Sequence, residues 1–365
     1  MKPGIRGDTG RSAFRRETTA AIAAKAAPTV VPSAWRLKRL LYWLLPAVIL
    51  GIVFSRIDLA TLGYQARRAN TGTLLGALSL FPLFMILGGL RWNRATRRYC
   101  RAPVPLTFSI QHYWIGQALG LFAPGSLGWD AYRALVAGKH YGHYLMNAAV
   151  ILVEKLLALL ACVTLVSLLA PFVSVAAPLL REIIAWAHLL GYLVAGTLVL
   201  AIYFSRLPLI RVLALKAESY IRGLAARALE RPPAKTPDRL FDSVMEPLRS
   251  PGLLLELLLL SFAILGLSAG INQLLFQSLG QPVPFLVNLF LAPVFYFLFV
   301  LPISVGGIGV REASYIALYG LFGVPAETAL LVGFLVFCGD LFNTLIGAAL
   351  LYANKPPGND LPRHT

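Results

Sequence analysis

Residues 253–279 carry a single charged side chain, Glu256, in twenty-seven consecutive positions. A run this long and apolar does not sit on a soluble surface, and as a helix it exceeds the roughly 20 residues that cross a bilayer. Residues 73–90, 145–170, 183–204 and 326–352 read the same way, and 40–54 is a shorter run of the same kind. The chain of 365 residues is 58% hydrophobic and 13% charged, with mean hydropathy +0.70. That is more apolar surface than a soluble domain of this size hides, so the bilayer must be part of its solvent.

Two further apolar stretches, 104–123 and 283–301, end in breaks of one pattern. The first runs into Pro124-Gly-Ser126-Leu-Gly128-Trp-Asp130-Ala-Tyr-Arg133. The second runs into Pro302-Ile-Ser304-Val-Gly306-Gly307-Ile-Gly309-Val-Arg311-Glu312. Each proline stops the incoming helix, the glycines permit close backbone approach, and a guanidinium follows. Broken backbone and charge at membrane depth persist only when buried in protein or facing a wet cavity. We read two re-entrant or broken-helix hairpins, with return legs over 125–137 and 303–321.

The net charge of +17 does not call for a nucleic-acid partner, because it gathers in blocks beside the spans. Lys2, Arg6, Arg11, Arg15, Arg16, Lys25, Arg36, Lys38 and Arg39 form the first block. Arg91, Arg94, Arg97, Arg98 and Arg101 form the second, and the loop from Arg206 to Arg249 forms the third. Such blocks mark the cytoplasmic face and attract anionic inner-leaflet lipids. They place both termini inside, with Arg56, Arg67 and Arg68 as the discordant positive charges of an outward loop. Lys139, His140 and His143 open the first hairpin to the cytoplasm, and the uncharged link from Gly280 opens the second outward. Span, hairpin and span then recur with opposite orientation, as in inverted-topology transporters, whose sites lie between the repeats. The expected fold class is therefore an all-α polytopic membrane protein of inverted-topology repeats with two re-entrant or broken-helix hairpins.

The expected domain plan is a basic, unstructured N-terminal tail over 1–38, a transmembrane domain over 39–352 and a C-terminal tail over 353–365. The transmembrane domain carries a cytoplasmic basic loop over 205–250. Nothing in 1–33 resembles a secretory signal. Cys100, Cys162 and Cys338, like His112, His140, His143 and His188, lack metal-site spacing. No cofactor and no metal is implied.

Charges inside the spans say more. Glu154 and Lys155 lie within 145–170, and Asp340 lies mid-span in 326–352. A charge at a helix centre costs about 2.5–3.5 kcal/mol on insertion scales, so it faces a partner or a cavity. Adjacent helical positions do not face each other, so Glu154 and Lys155 need separate partners. Arg133, Arg311 and Asp130 are the candidates. Structural ion pairing and an electrostatic pocket for a lipid headgroup or a proton both fit. Glu256 sits near a span end, and Glu312 is placed to pair locally. A helix restarting after each break would point free N–H groups at it, and Arg133 and Arg311 add forks suited to phosphate. The candidate binding residues are therefore Pro124, Ser126, Gly128, Asp130, Arg133, Glu154 and Lys155 in the first half. In the second half they are Pro302, Ser304, Gly306, Gly307, Gly309, Arg311, Glu312 and Asp340. The plainer alternative is that the small residues only let helices pack closely.

The run from Leu301 to Glu312, with Gly323-Val-Pro and Ala329-Leu330 after it, resembles the second signature of the lysylphosphatidylglycerol synthase transmembrane-region family. Arg91-Trp92, the segment from Phe122 to Arg133, and Glu154-Lys155 resemble its first half. The resemblance spans about residues 40 to 352. The family usually has Gly-Gly-Asp where this chain has Gly128-Trp129-Asp130, and Glu-Arg where it has Glu154-Lys155. The resemblance implies a flippase-like protein of the bacterial inner membrane, handling a phospholipid or lipid-linked substrate and standing alone without the aminoacyl-transferase domain of the two-part synthases. It leaves a homo-oligomer open. The competing classes are a membrane-embedded glycosyltransferase or other lipid-modifying enzyme, and a non-transporting scaffold. The enzyme would need a carboxylate cluster on an exposed loop, and the outward loops offer only Asp58 and Glu182.

Overall fold

The structure is a computed structural model that describes residues 59–99, 103–120, 127–141, 144–173, 178–204, 250–300 and 307–354. The tails, the run 40–54, nearly all of the basic loop, Cys100 and His143 lie outside the described residues. So do Pro124, Ser126, Pro302, Ser304 and Gly306. The described residues are helical with no strand: α1 (Leu59–Arg68), α2 (Thr71–Tyr99), α3 (Leu106–Gly120), α4 (Leu127–Tyr141), α5 (Tyr144–Leu169), α6 (Pro178–Phe204), α7 (Pro251–Ser278), α8 (Phe285–Val300), α9 (Val310–Gly320) and α10 (Ala326–Ala353). Within them, Thr71–Tyr99, Met146–Phe172, Pro251–Ser278 and Ala326–Ala353 are long and apolar enough to cross a membrane. The chain is an all-α, membrane-embedded protein.

Element boundaries follow local chemistry. Asn70 caps α2, its side-chain oxygen accepting from the Thr73 N–H at 3.0 Å. Two expectations are corrected. The segment holding Arg67 and Arg68, placed in the outward loop between two spans, forms the helix α1, which packs on α10. Within the expected second return leg, residues 307–309 form a turn and the helix starts at Val310, while 303–306 lie outside the described residues.

Call α2–α5 the first unit and α7–α10 the second. Exchanging them maps each principal contact between units onto another. The packing of α3 on α10 becomes α8 on α5, and α5 on α7 becomes α10 on α2, while α2 on α7 maps onto itself. Within the units, α2 on α5 becomes α7 on α10. The buried apolar side chains divide accordingly. One cluster gathers Phe290, Phe295, Tyr315 and Tyr319 of α8 and α9 with Ala77 and Phe81 of α2 and Leu165 of α5. The other gathers Tyr113 and Ala137 of α3 and α4 with Trp92, Val153 and Leu257 of α2, α5 and α7.

Contacts at the helix ends fix which termini are neighbours. The Asn70 N–H donates to the Ser278 carbonyl at 2.7 Å, and the Thr328 hydroxyl donates to Gln65 Oε1 at 3.2 Å. The start of α2, the end of α7 and the start of α10 therefore share one end. At the other, Arg94 pairs with Glu256 at 3.3 Å, and the Asn93 amide donates to the Val104 carbonyl at 3.1 Å. That brings together the end of α2 and the starts of α7 and α3.

Where α10 crosses α3, glycine sets the separation. A Cβ on Gly347 would fall on the Trp114 carbonyl oxygen, backbone that cannot swing aside. Gly347→Ala is expected to destabilise the protein by about 1–3 kcal/mol, as overpacking does. Gly266→Ala, where an added Cβ meets nothing within 4 Å, should not destabilise. Denaturation in mixed micelles, followed by circular dichroism, compares the two.

Candidate functional site

The charged residues of both units converge. A cavity of about 310 Å³ is lined by Asp130, Arg133, Glu154 and Lys155 from the first unit and by Gly307, Arg311 and Asp340 from the second. It opens between the two apolar clusters, with Arg91 of α2 and Asn343 of α10 also on its wall.

In the first unit the pairing separates Glu154 from Lys155, as their adjacency on a helix requires. Glu154 accepts from Arg133 at 3.0 Å on one oxygen and from Arg91 at 3.4 Å on the other. Lys155 turns to Asp130 at 2.7 Å, which also accepts from Arg133 at 2.7 Å. Arg91 donates onward to the Ser261 hydroxyl of α7 at 3.0 Å. Glu154 is 1% exposed and Arg133 4%, so these bonds form away from bulk water, where unpaired charge is most costly.

The second unit repeats the core of this arrangement. Arg311 of α9 pairs with Asp340 of α10 at 2.9 Å. Arg133 of α4 pairs in the same way with Glu154 of α5. Each guanidinium also lies over two aromatic rings, the favourable geometry for a desolvated cation. Arg133 sits 5.5 and 5.1 Å from the ring centres of Trp92 and Tyr113, and Arg311 sits 5.5 and 5.6 Å from those of Phe299 and Phe337.

The turn before α9 shows why glycine stands there. Gly307 and Gly309 have φ of 77° and 81°, in the left-handed region where a side chain is strained. A Cβ on Gly307 would lie 3.3 Å from the Arg311 guanidinium. Gly309 closes the turn, its N–H donating to the Glu312 carboxylate at 2.6 Å. Glu312 is thus turned onto the first turn of its own helix as a cap and is not on the cavity wall. The helix start expected to offer free N–H groups to a ligand already holds an internal carboxylate. Gly128 lies in the first turn of α4, in the described part of the first break.

Sequence reasoning missed Arg91, which it assigned with Arg94 to the charge block beside a span. Arg91 is 7% exposed and part of the buried network. Its place directly after the apolar run of α2 was the available signal. Among the histidines, His112 and His140 pack around Phe108, with ring centres 4.3 and 5.2 Å away. The His112 ring also bonds the Tyr132 hydroxyl at 2.7 Å.

A membrane protein with an arginine–carboxylate pair from each half on one cavity wall belongs to a recognisable class, and comparison supplies it. The family model described as the lysylphosphatidylglycerol synthase TM region matches residues 36–347. The chain belongs to that family, whose members are membrane proteins linked to lipid handling. No curated protein and no solved structure matches it.

Proposed function

We propose that this protein binds an anionic phospholipid or lipid-linked headgroup in the cavity between its two units and translocates it across the bacterial inner membrane. The observation that carries this reading is the convergence of Arg133 and Arg311, each with its own carboxylate, on one cavity. Two equivalent charged stations facing a shared space suit a headgroup that passes from one to the other. The basic loops hold anionic inner-leaflet lipids close to the cytoplasmic face. The cavity carboxylates Glu154 and Asp130 are each held by two cations, an arrangement better suited to shaping a binding site than to general acid–base chemistry.

The exchange of contacts between units supports two structural repeats. The end contacts support their inversion: α8–α9 joins the end of α7 to the start of α10, which share one end of the bundle. The α3–α4 pair starts at the opposite end, where α2 finishes. Each hairpin then enters and returns on its own side of the membrane, and the charge blocks put the first, with both chain termini, on the cytoplasmic side. Single cysteines at Lys139 and at Pro282, both exposed, are expected to react with an impermeant thiol reagent from opposite faces once the native cysteines are removed. Labelling of both from one face contradicts the inversion.

Reconstitution tests the function. Liposomes carrying the protein and a fluorescent phosphatidylglycerol are expected to lose fluorescence to an impermeant reductant beyond the outer-leaflet share. Protein-free liposomes should not. Bleaching that stops at the outer leaflet in both contradicts translocation.

A further inference from the structure

Among the described residues, the buried donors Trp129 Nε1 and Arg133 Nε on the cavity wall have no hydrogen-bond partner. Arg133 gives one terminal nitrogen to Glu154 and the other to Asp130, but its Nε bonds to nothing. The indole Nε1 of Trp129 is also buried and unbonded. A buried donor left unmade costs on the order of 1–3 kcal/mol, and here two occur together. Positions 129 and 133 are four apart on α4 and so share one face, and both line the cavity.

The indole is held in place by α3. A Cβ on Gly116 would lie 2.5 Å from Trp129 Cδ1, and one on Gly120 would lie 3.1 Å from Trp129 Cβ. The ring meets Tyr113 edge-on at 4.7 Å, and Tyr113 in turn lies under the Arg133 guanidinium. Two glycines thus make a slot for a large side chain one helical turn from Arg133. Among the described residues on the wall, Arg91, Arg133, Lys155 and Arg311 face Asp130, Glu154 and Asp340, an excess of one positive charge.

We propose that Trp129 Nε1 and Arg133 Nε form a subsite for a phosphate oxygen, and that the ligand is a phosphodiester carrying a single negative charge. This inference rests on reading the cavity as a headgroup site. The uncompensated charge matches one phosphodiester, whereas a diphosphate would leave negative charge unbalanced in a confined space. The indole makes the subsite selective: it supplies a donor where any aliphatic residue would supply none, and its bulk limits what can stand beside Arg133.

Native mass spectrometry of the delipidated full chain tests this, with phosphatidylglycerol, diacylglycerol of the same acyl chains, and inorganic phosphate as probes. The parent protein should retain phosphatidylglycerol over diacylglycerol. Trp129→Phe keeps an aromatic ring in the slot and removes the N–H. It should weaken phosphatidylglycerol binding about tenfold to a hundredfold, as loss of one hydrogen bond to a charged acceptor does, and leave diacylglycerol unchanged. Arg133→Lys, which keeps the charge and loses Nε, should shift the same preference, and Trp129→Phe alone decides the matter if that variant does not fold. Displacement of the lipid by inorganic phosphate assigns the subsite to phosphate from either source. Retained lipid with its preference intact assigns it to lipid-borne phosphate. Unchanged phosphatidylglycerol affinity in Trp129→Phe overturns the subsite but leaves the headgroup cavity standing. A parent protein that does not prefer phosphatidylglycerol overturns the headgroup reading itself.

Discussion

Replacing Glu154 by Ala is expected to destabilise the protein by about 3–5 kcal/mol, the penalty for removing one partner from a buried ion pair. Glu154 is the shared acceptor of Arg133 and Arg91, at 3.0 and 3.4 Å, and is 1% exposed. Its loss takes one carboxylate acceptor from each of two guanidiniums. Arg133 would keep Asp130, and Arg91 would keep the neutral Ser261 hydroxyl. Because α2, α4 and α5 meet at this carboxylate, the effect should appear as loss of monodisperse protein and a lower midpoint of denaturant unfolding. Glu154→Gln keeps the shape and removes the charge, so it should lie between parent and Ala. Asp340→Ala should cost less, because the Asp340 side chain, the acceptor of Arg311, is 33% exposed. Equal stability of Glu154→Ala and the parent would show that the network does not hold the first unit together.

Arg311→Ala is expected to leave a folded protein and to reduce lipid translocation by about 10- to 100-fold, corresponding to about 1.4–2.8 kcal/mol of lost stabilisation at the headgroup. Arg311 touches the cavity from the second unit and pairs with a carboxylate that water can partly reach. Removing it therefore disturbs packing less than removing Arg133 does. Arg311→Lys keeps the charge but not the two-pronged fork that fits a phosphate, so translocation should fall there too. Folded Arg311→Ala protein that translocates at the parent rate would return Arg311 to a packing role.

Four of the six expected membrane spans, over 73–90, 145–170, 253–279 and 326–352, were legible because their apolar runs approach or exceed a bilayer crossing. The separate partners of Glu154 and Lys155 were legible for a geometric reason: neighbouring helical positions point apart, and each needed its own opposite charge. Arg91 was not legible. A basic residue at a span end serves topology and a buried network equally well, and only the turn of α2 that buries it decides. The helix α1 was hidden by its ten-residue length and its arginines. The aromatic partners of Arg133 and Arg311 were hidden because Tyr113, Phe299 and Phe337 lie in apolar runs where any aromatic reads as core, while Trp92 lies among the arginines of a charge block. Glu312 was half legible. Its place in the first turn of a helix suggested local pairing, and the turn at Gly307 and Gly309 that brings it onto its own backbone needs dihedrals that composition does not specify.

Photo-crosslinking tests the central claim, that a lipid headgroup enters the space between the two units, most directly. A benzophenone side chain at Phe84 stands on the cavity wall, and one at Phe334, which is 52% exposed, serves as a bilayer-facing control. With phosphatidylglycerol and matched diacylglycerol in the same membrane, Phe84 should capture phosphatidylglycerol preferentially and lose that preference in Arg311→Ala, while Phe334 captures both in proportion to their abundance. Capture at Phe84 that follows bulk abundance, or no capture there while Phe334 reacts, would contradict a headgroup site between the units.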